Sequence, residues 1–585
     1  MRLSLGLLAA LITTAGLTPA ASAAPPESHP SYAYDQAIRE TAWVETGTDH
    51  DRDGKIDRVA ADVIRPRATV RVPVILDVSP YYACCGRGNE SQKKTYAPDG
   101  TPQQFPLFLD NYFVPRGYAV VLADVGGTNR SSGCFDDVGS GNAVVNWLNG
   151  RAKAFDAPDG GRPVRAGWAT GDVGAIGKSQ DGATAIGMAA SGIAGLKTIV
   201  PIEGVADNYS QLIANGAPLA TPEHTGSAFT YNERAAELCK PFEADIKARA
   251  GTNGDYNAYW RSVNHVPRAG QVRASVLAAQ GFGDWVVPPD QFAAWWDALG
   301  RAGVPRQAWL SQAGHTDPFD LQRAQWVETL HRWFDRWLLG LPNGVEHEPA
   351  VHLETAPDRW TDLRSWPPAT TSATLHPSSD GTLGRRGSGT ATVVDDPAIG
   401  REQWAAGSSA AVFKGAPLTA PVRIAGSPSV TITASADKTA ARLGVALVDY
   451  GSADERNTAN YGSGVKNLAT RSCWGASSAG DSACFLDTTA DLVSVGHRIV
   501  AAGWADLGHH ASLRHGEPLV PGRVYSMTFT LTALDHVVPA GHRLGLLLGG
   551  TDGQLFDPAL PVLGDTLTFD LARTSVTFGL TKPEH

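Results

Sequence analysis

The sequence predicts an α/β unit built on a largely parallel sheet, followed by an all-β unit of sandwich or jelly-roll type. Three observations predict it. From about Arg58 to Trp309, short continuous apolar runs alternate with crossover-sized helical or polar stretches, the pattern of strands buried on both faces. Beyond about Glu346, Thr, Ser, Gly and Val become frequent and the pattern turns to alternation, as antiparallel strands with one buried face require. Finally, 585 residues exceed what one hydrophobic core organises, and 43% hydrophobic with 18% charged residues is the make-up of a globular protein.

Taken in order, residues 1–23 contain one Arg at position 2, an apolar run and then small residues, with Ala21 and Ala23 as an A-x-A cleavage site. They predict a signal peptide and a secreted, extracellular protein. The run is shorter than the ~20 residues that span a bilayer, so no membrane anchor is expected. The α/β unit is expected over 24–345, with strands at 72–78, 118–125, 173–176, 198–202, 275–279 and 307–310. Within it, helix-like stretches at 232–248 and 255–263 interrupt the strand rhythm. An insertion following a strand emerges at the carboxyl edge of the sheet, which predicts a helical cap over a pocket at about 205–270. The all-β unit is expected over 346–585, with strands at 428–434, 442–449 and 525–531.

Forty-nine basic against 59 acidic residues give a net charge of −10, and no basic block occurs. Nucleic acid and anionic membranes are therefore not expected partners. Export makes the six cysteines disulfide candidates. Cys473 and Cys484, close together in one polar loop, are expected to pair. Vicinal cysteines rarely bond each other, so Cys84 and Cys85 are expected to reach Cys134 and Cys239 in either order.

The segment with the most chemistry is Gly177-Lys-Ser179-Gln180-Asp181-Gly182, which follows a short strand and opens a helix of small residues, 183–190. Strand, sharp turn with Ser at the apex and closely packed helix make up a nucleophile elbow. The helix N-terminus and the Gln180 amide then face the oxygen that becomes negative. Gly-Lys-Ser also ends a phosphate-binding loop, but that loop requires Gly where Asp172 stands. The departure from G-x-S-x-G at Asp181 leaves an ordinary Gly-rich turn as the alternative, and the rest of the chain decides between them.

A serine hydroxyl is a weak nucleophile until a base is held beside it and a carboxylate orients that base. Asp284 stands in a Gly-bounded turn just past the run 275–279, and His315 stands just past 307–310. Ser179, Asp284 and His315 thus each follow an apolar run, in the chain order Ser, Asp, His of α/β-hydrolases, at the edge where open α/β sheets place their sites. They are the expected nucleophile, orienting acid and base.

Together with Gly281-Phe-Gly-Asp284-Trp, Ala313-Gly-His315, Val125-Gly-Gly-Thr-Asn-Arg-Ser-Ser-Gly133 and Glu517-Pro-Leu-Val-Pro-Gly522, the elbow segment resembles the Xaa-Pro dipeptidyl-peptidase family of serine hydrolases and its relatives, the cocaine-esterase-like acyl hydrolases. The resemblance covers most of the chain after the leader. It implies an α/β-hydrolase core, a helical cap and a C-terminal jelly roll of galactose-binding-like type. It also implies release of Xaa-Pro dipeptides from peptide N-termini or, in the esterase branch, hydrolysis of esters and amides. That family carries an oxyanion-hole tyrosine in a Pro-Tyr pair after an early strand. Tyr81 in Ser79-Pro80-Tyr81-Tyr82 matches it, with Tyr82 as the alternative, and would act with the Gln180 N–H.

An exopeptidase must hold a free ammonium, which calls for partly desolvated acidic groups, and a proline ring needs an apolar slot. Glu203 and Asp207 are candidates for the first, and Tyr209 and Trp285 for the second; the alternative is that they only cap or hydrate their loops. Asp49-His-Asp51-Arg-Asp53-Gly54-Lys-Ile-Asp57 has the alternating oxygens of a calcium loop, but Ala60 stands where an EF-hand places Glu. A plain Asp/Gly turn is expected there. His347-Glu-Pro-Ala-Val-His352 is one residue too long for a zinc helix and is broken by Pro349.

The expected protein is a secreted serine exopeptidase acting through an acyl-enzyme on peptides with proline at the second position, without metal or cofactor. Two alternatives accompany it. One is an acyl esterase or amide acylase with the same machinery; the other is a carbohydrate- or wall-binding protein with an inactive core. Oligomeric state stays open.

Overall fold

The structure, a computed structural model, describes residues 25–219, 230–555 and 564–581. The leader expected at 1–23 lies outside the described residues. Ten main strands of the first unit are β1 (Ile38–Glu45), β2 (Arg58–Arg65), β3 (Val72–Ser79), β4 (Ala119–Asp124), β5 (Ala169–Lys178), β6 (Leu196–Ile202), β7 (Ser275–Gly281), β8 (Arg306–Ser311), β9 (Val351–Ala356) and β10 (Arg359–Leu363). They form a twelve-stranded sheet in the order β10-β9-β8-β7-β6-β5-β3-β4-β2-β1, completed at the β1 edge by the short strands Ala154–Phe155 and Pro163–Val164. From β4 through β3, β5, β6, β7 and β8 to β9 the strands run parallel.

The apolar runs alternate sides as a sheet covered on both faces demands. Val74, Leu76, Val121 and Ala123 join one buried cluster with the helices Asp137–Leu148, Gln180–Ala190 and Pro289–Arg301. Ile75, Val120 and Leu122 join the opposite one with the helices Leu109–Phe113 and Arg323–Leu338. The chain leaves β3 toward β4 on one side and returns to β5 on the other. The order of the strands therefore reverses at β3, and a crevice opens above the carboxyl ends of β3 and β5, where ligands of such sheets bind.

The first unit runs further than expected. β9 and β10 lie beyond residue 345 yet belong to its sheet, β9 pairing parallel with β8, so this unit closes at Leu363. The helical stretch expected at 232–248 is two helices, Glu233–Leu238 and Lys240–Ala250, interrupted at Cys239. With Ala258–Ser262 they supply the helical content of the cap, whose residues 220–229 lie outside the described residues.

The second unit packs two antiparallel sheets face to face. Strands of the larger one, among them Ser429–Ala436, Tyr525–Thr530 and Ser575–Thr581, meet Arg442–Arg456, Leu492–Asp506 and Arg543–Gly549 of the smaller across a core containing Val430, Ile432, Leu443, Val445 and Leu546. A hairpin, Val465–Cys473 with Cys484–Ala490, leaves the sandwich and lies on the first unit. There Phe485 packs edge-on against Phe319 with ring centres 5.6 Å apart, and Asp481 accepts a hydrogen bond from Tyr34. Among the described residues, no helix is long and apolar enough to cross a membrane.

Cys473 and Cys484 come together as expected, whereas the other four cysteines are placed differently. The structure sets Cys134 beside Cys239, with Cα atoms 5.6 Å apart, Cys84 beside its neighbour Cys85, and Cys473 beside Cys484, each pair within reach of a disulfide. The loop after β4 and the start of the second cap helix are brought together by the fold, which leaves Cys84 and Cys85, both exposed on the loop after β3, only each other.

Candidate active site

The register of the parallel strands sets the geometry. Lys178 pairs with Ile202, Ile202 with Ala279, and Ala279 with Trp309, so the residues that follow these strands emerge side by side at one edge. Ser179 follows directly from β5 with φ 65° and ψ −123°, a conformation costly for a non-glycine residue and typical of a nucleophile held at the apex of an elbow. Its N–H donates to Ile202 O at 2.9 Å, and its carbonyl accepts from Ala183 N at 2.9 Å. The turn is this tight only because residue 177 is glycine: a Cβ there would lie 2.4 Å from Asp181 Cβ.

On the neighbouring strand ends, His315 Nδ1 donates to Asp284 Oδ2 at 2.7 Å. The other oxygen of Asp284 accepts from the backbone N–H groups of Val286 and Val287, at 2.8 and 2.9 Å. The carboxylate is fully buried and fixed at both oxygens, which fixes the imidazole tautomer with Nε2 as the unprotonated nitrogen. Lys178 Nζ donates to His315 O at 2.9 Å. Burial lowers the His315 pKa below the ordinary imidazole value, and the Lys178 charge adds to this, against the opposing pull of Asp284. The ring is thus neutral at pH 7, as a general base must be.

On the other side of Ser179, Tyr81 stands at the end of β3. Its hydroxyl faces the Ser179 side chain and the Gln180 N–H. Burial, with Asp181 nearby, raises its pKa, so it remains a neutral phenol able to donate. Beneath it, Arg87 Nε lies 3.1 Å from Asp181 Oδ2 and its guanidinium 5.8 Å from the Tyr81 ring centre. Asp181 is therefore no defect of the elbow. It is a buried carboxyl that ties the elbow helix to the loop carrying Tyr81. Neither Arg87 nor this role of Asp181 was apparent from sequence; the one signal was an acidic residue where the elbow pattern has glycine.

The four residues considered for substrate binding each have partners within the protein. Glu203 is 1% exposed and turned to the histidine, Oε2 lying 3.1 Å from His315 Nδ1 while Oε1 accepts from Thr316 N at 2.9 Å. Asp207 caps the helix Asn208–Leu212 through Tyr209 N. Tyr209 is buried in the cap and donates to Gly254 O at 2.8 Å. Trp285 packs with Trp404 and Trp504 of the second unit, with the Arg401 guanidinium 4.2 Å from its ring centre. These partners depend on side-chain direction and on the second unit, neither readable from spacing.

A cavity of about 310 Å³ beside His315 is lined by Arg87, Leu107, Lys178 and Asp320 of the first unit and by Ser463 and Lys466 of the second. The second unit thus borders the site directly: Ser463 O accepts from Gly314 N at 3.1 Å and from the Thr316 hydroxyl at 2.7 Å. In the Asp49–Asp57 turn, three carboxylates converge, but the Arg234 guanidinium is paired with Asp51 and Asp53 and supplies the positive charge. The turn is closed by Asp53 and Gly54 N–H groups donating to Asp49.

This arrangement has relatives. Residues 53–317 match the family described as X-Pro dipeptidyl-peptidase (S15 family), and residues 343–585 match the X-Pro dipeptidyl-peptidase C-terminal non-catalytic domain. A Streptomyces avermitilis protein assigned as an Xaa-Pro dipeptidyl-peptidase is 49% identical over 593 residues, covering 97% of this chain and 87% of its own. Among solved structures, an α-amino acid ester hydrolase aligns with a TM-score of 0.63 at 17% identity over 97% of this chain and 100% of that one. A CocE/NonD family hydrolase from Staphylococcus aureus aligns with a TM-score of 0.66 at 13% identity over 93% and 94%. These two share the fold, an α/β-hydrolase core with a C-terminal β-rich domain. Identity near one half, sustained through both units, makes the chain a member of the X-Pro dipeptidyl-peptidase (S15) family of serine peptidases.

Proposed function

We propose that the chain releases Xaa-Pro dipeptides from peptide N-termini through an acyl-enzyme. Ser179 Oγ attacks the carbonyl of the substrate's proline as His315 Nε2 takes its proton. Asp284 orients and stabilises the imidazolium, and the Tyr81 hydroxyl with the Gln180 N–H receives the oxyanion. His315 then returns the proton to the leaving amine, and water repeats the sequence to free the dipeptide. The observation that supports this most is the 2.7 Å contact between His315 and Asp284 at the sheet edge where Ser179 is held at φ 65°. The decisive measurement is turnover of a Gly-Pro chromogenic amide against its N-acetylated form: the free amine is expected to be strongly preferred, and equal rates exclude the dipeptidyl assignment. Ser179→Ala is expected to abolish turnover and fluorophosphonate labelling.

A second reading, an ester or amide hydrolase without need of a free amine, is favoured by one observation. Glu203 and Asp207, the carboxylates considered for the ammonium, are engaged by His315, Thr316 and a helix cap. Short acyl esters assayed beside the two amides separate the readings. The leader at 1–23 also supports export. N-terminal sequencing of protein from the culture medium is expected to begin at Ala24.

A further inference from the structure

We infer that Glu203 is a positioning residue for the reaction: a second carboxyl group, beside Asp284, that braces His315 on its Nδ1 side and leaves Nε2 to Ser179. The inference rests on the roles given above to Ser179, Asp284 and His315. Glu203 meets the histidine at two points: Oε2 lies against the ring, 3.1 Å from Nδ1, and Oε1 accepts from Thr316 N, on the backbone just beyond it, at 2.9 Å. It is itself held rigidly. Its N–H donates to Ala279 O at 2.8 Å, and its φ of 49° is one that a non-glycine residue keeps only when its surroundings impose it. A strained residue that buries a carboxyl against the ring of the general base is costly unless the reaction uses it.

The charges explain what form it takes. Glu203 faces Asp284 from the loop after β7 and Asp317 from the loop after β8, with Lys178 of β5 as the nearby cation. Arg87 from the loop after β3 also acts on the histidine. Two anions cannot both be held beside one buried Nδ1–H. Asp284, with two backbone N–H donors and the imidazole, is the better hydrogen-bonded of the pair. Glu203, whose Oε2 has no hydrogen-bond donor, is the one that keeps its proton; burial and the Asp284 charge push its pKa well above the carboxylate range. A neutral carboxyl there fixes the ring without adding charge that would hold the resting histidine protonated.

The test compares Glu203→Ala with the isosteric, neutral Glu203→Gln in the full chain. Glu203→Ala is expected to lower kcat by about 10- to 100-fold with KM within about twofold. Glu203→Gln is expected to recover kcat to within about fivefold of wild type, with the acid limb of the kcat/KM profile unmoved. Pseudo-first-order labelling by a fluorophosphonate should follow the same order. The inference is overturned if a folded Glu203→Ala matches wild type in kcat and pH profile. It is also overturned if Glu203→Gln is no better than Ala, or if Gln displaces the acid limb by about one pH unit, which would mark an anionic Glu203. Should Glu203→Ala fail to fold, Glu203→Gln alone decides by its profile. Turnover surviving in Ser179→Ala would instead remove the hydrolase reading itself, whereas an inactive Ser179→Ala beside an unimpaired Glu203→Ala removes only the Glu203 assignment.

Discussion

Arg87 and Asp181 form a buried ion pair, 3.1 Å from Nε to Oδ2, that joins the loop carrying Tyr81 to the helix that begins directly after Ser179. Asp77, also buried, faces the same guanidinium. With two carboxyls around one cation, burial raises the Asp181 pKa well above its usual value and that of Asp77 to about 6. Arg87→Ala would leave this pair without its cation, and breaking a buried pair from one side costs about 3–5 kcal/mol. A large fall in melting temperature is expected, with kcat reduced in the fraction that stays folded because Tyr81 loses its support. Thermal melts and kinetics on the same preparation check it; an unaltered melting point would show that the cation is dispensable.

Tyr81 is where a single atom is most exposed to test. Tyr81→Phe removes one hydroxyl and nothing else from a partly buried ring. If that hydroxyl donates to the oxyanion, kcat falls about 10²- to 10³-fold while KM changes little, since the charge exists only in the transition state. A loss confined to KM would assign Tyr81 to substrate binding.

How much of this was readable in the sequence follows from what each feature depends on. The parallel strands announced themselves as apolar runs. Because consecutive parallel strands end at one edge, Ser179, Asp284 and His315 could be set there from order and spacing alone. Glu203 was visible as an acid after a strand, but whether it looked into the pocket or back at the histidine depended on a positive φ that no pattern encodes. Trp285 and Ser463 were opaque for a different reason: their partners lie in the other unit, more than a hundred residues away in the chain. The extra strands β9 and β10 escaped because their sequence has the alternating character of the second unit while their hydrogen bonds go to the first.

The pH dependence of kcat/KM follows from His315. In the proposed reaction the neutral imidazole is the base, and burial lowers its pKa from the ordinary ~6.5. Activity should therefore persist below that value and decline only as the pH falls through the depressed one. A profile whose acid limb lies above pH ~6.5 would contradict the direction of the shift.

The contact between the units carries its own titration. Tyr34 Oη lies 2.5 Å from both Asp110 Oδ2 and Asp481 Oδ2, and Arg39 pairs with Asp481 at 3.0 Å. A phenol has one proton to donate, so the second short contact needs a proton on a carboxyl. Burial and the neighbouring Asp481 raise the Asp110 pKa well above 3.8. A group whose folded pKa is raised contributes stability that is complete below its unfolded value and is lost as the pH rises through the folded one. The melting temperature should thus fall as the pH rises from about 3.9 through the folded value and level off beyond it. Asp110→Asn, which cannot ionise, should flatten the decline; an identical slope in the variant would exclude Asp110 as its source.

A bond between the adjacent Cys134 and Cys239 would span 105 residues of chain and hold the first cap helices to the loop after β4, where Asn232 N also donates to Gly127 O at 2.9 Å. In the chain-entropy account, a cross-link closing a loop of this size restricts the unfolded state by about 4–5 kcal/mol, and measured losses on removal are commonly about 2–5 kcal/mol. Cys134→Ser/Cys239→Ser should lower stability by that order and loosen the cap. Non-reducing peptide mapping of wild type should recover the 134–239 link; recovery of either cysteine joined to Cys84 or Cys85 would contradict the pairing. The cross-link touches neither His315 nor Asp284, so the double variant should raise KM more than it lowers kcat, and a collapse of kcat alone would show that the cap helps assemble the reacting groups.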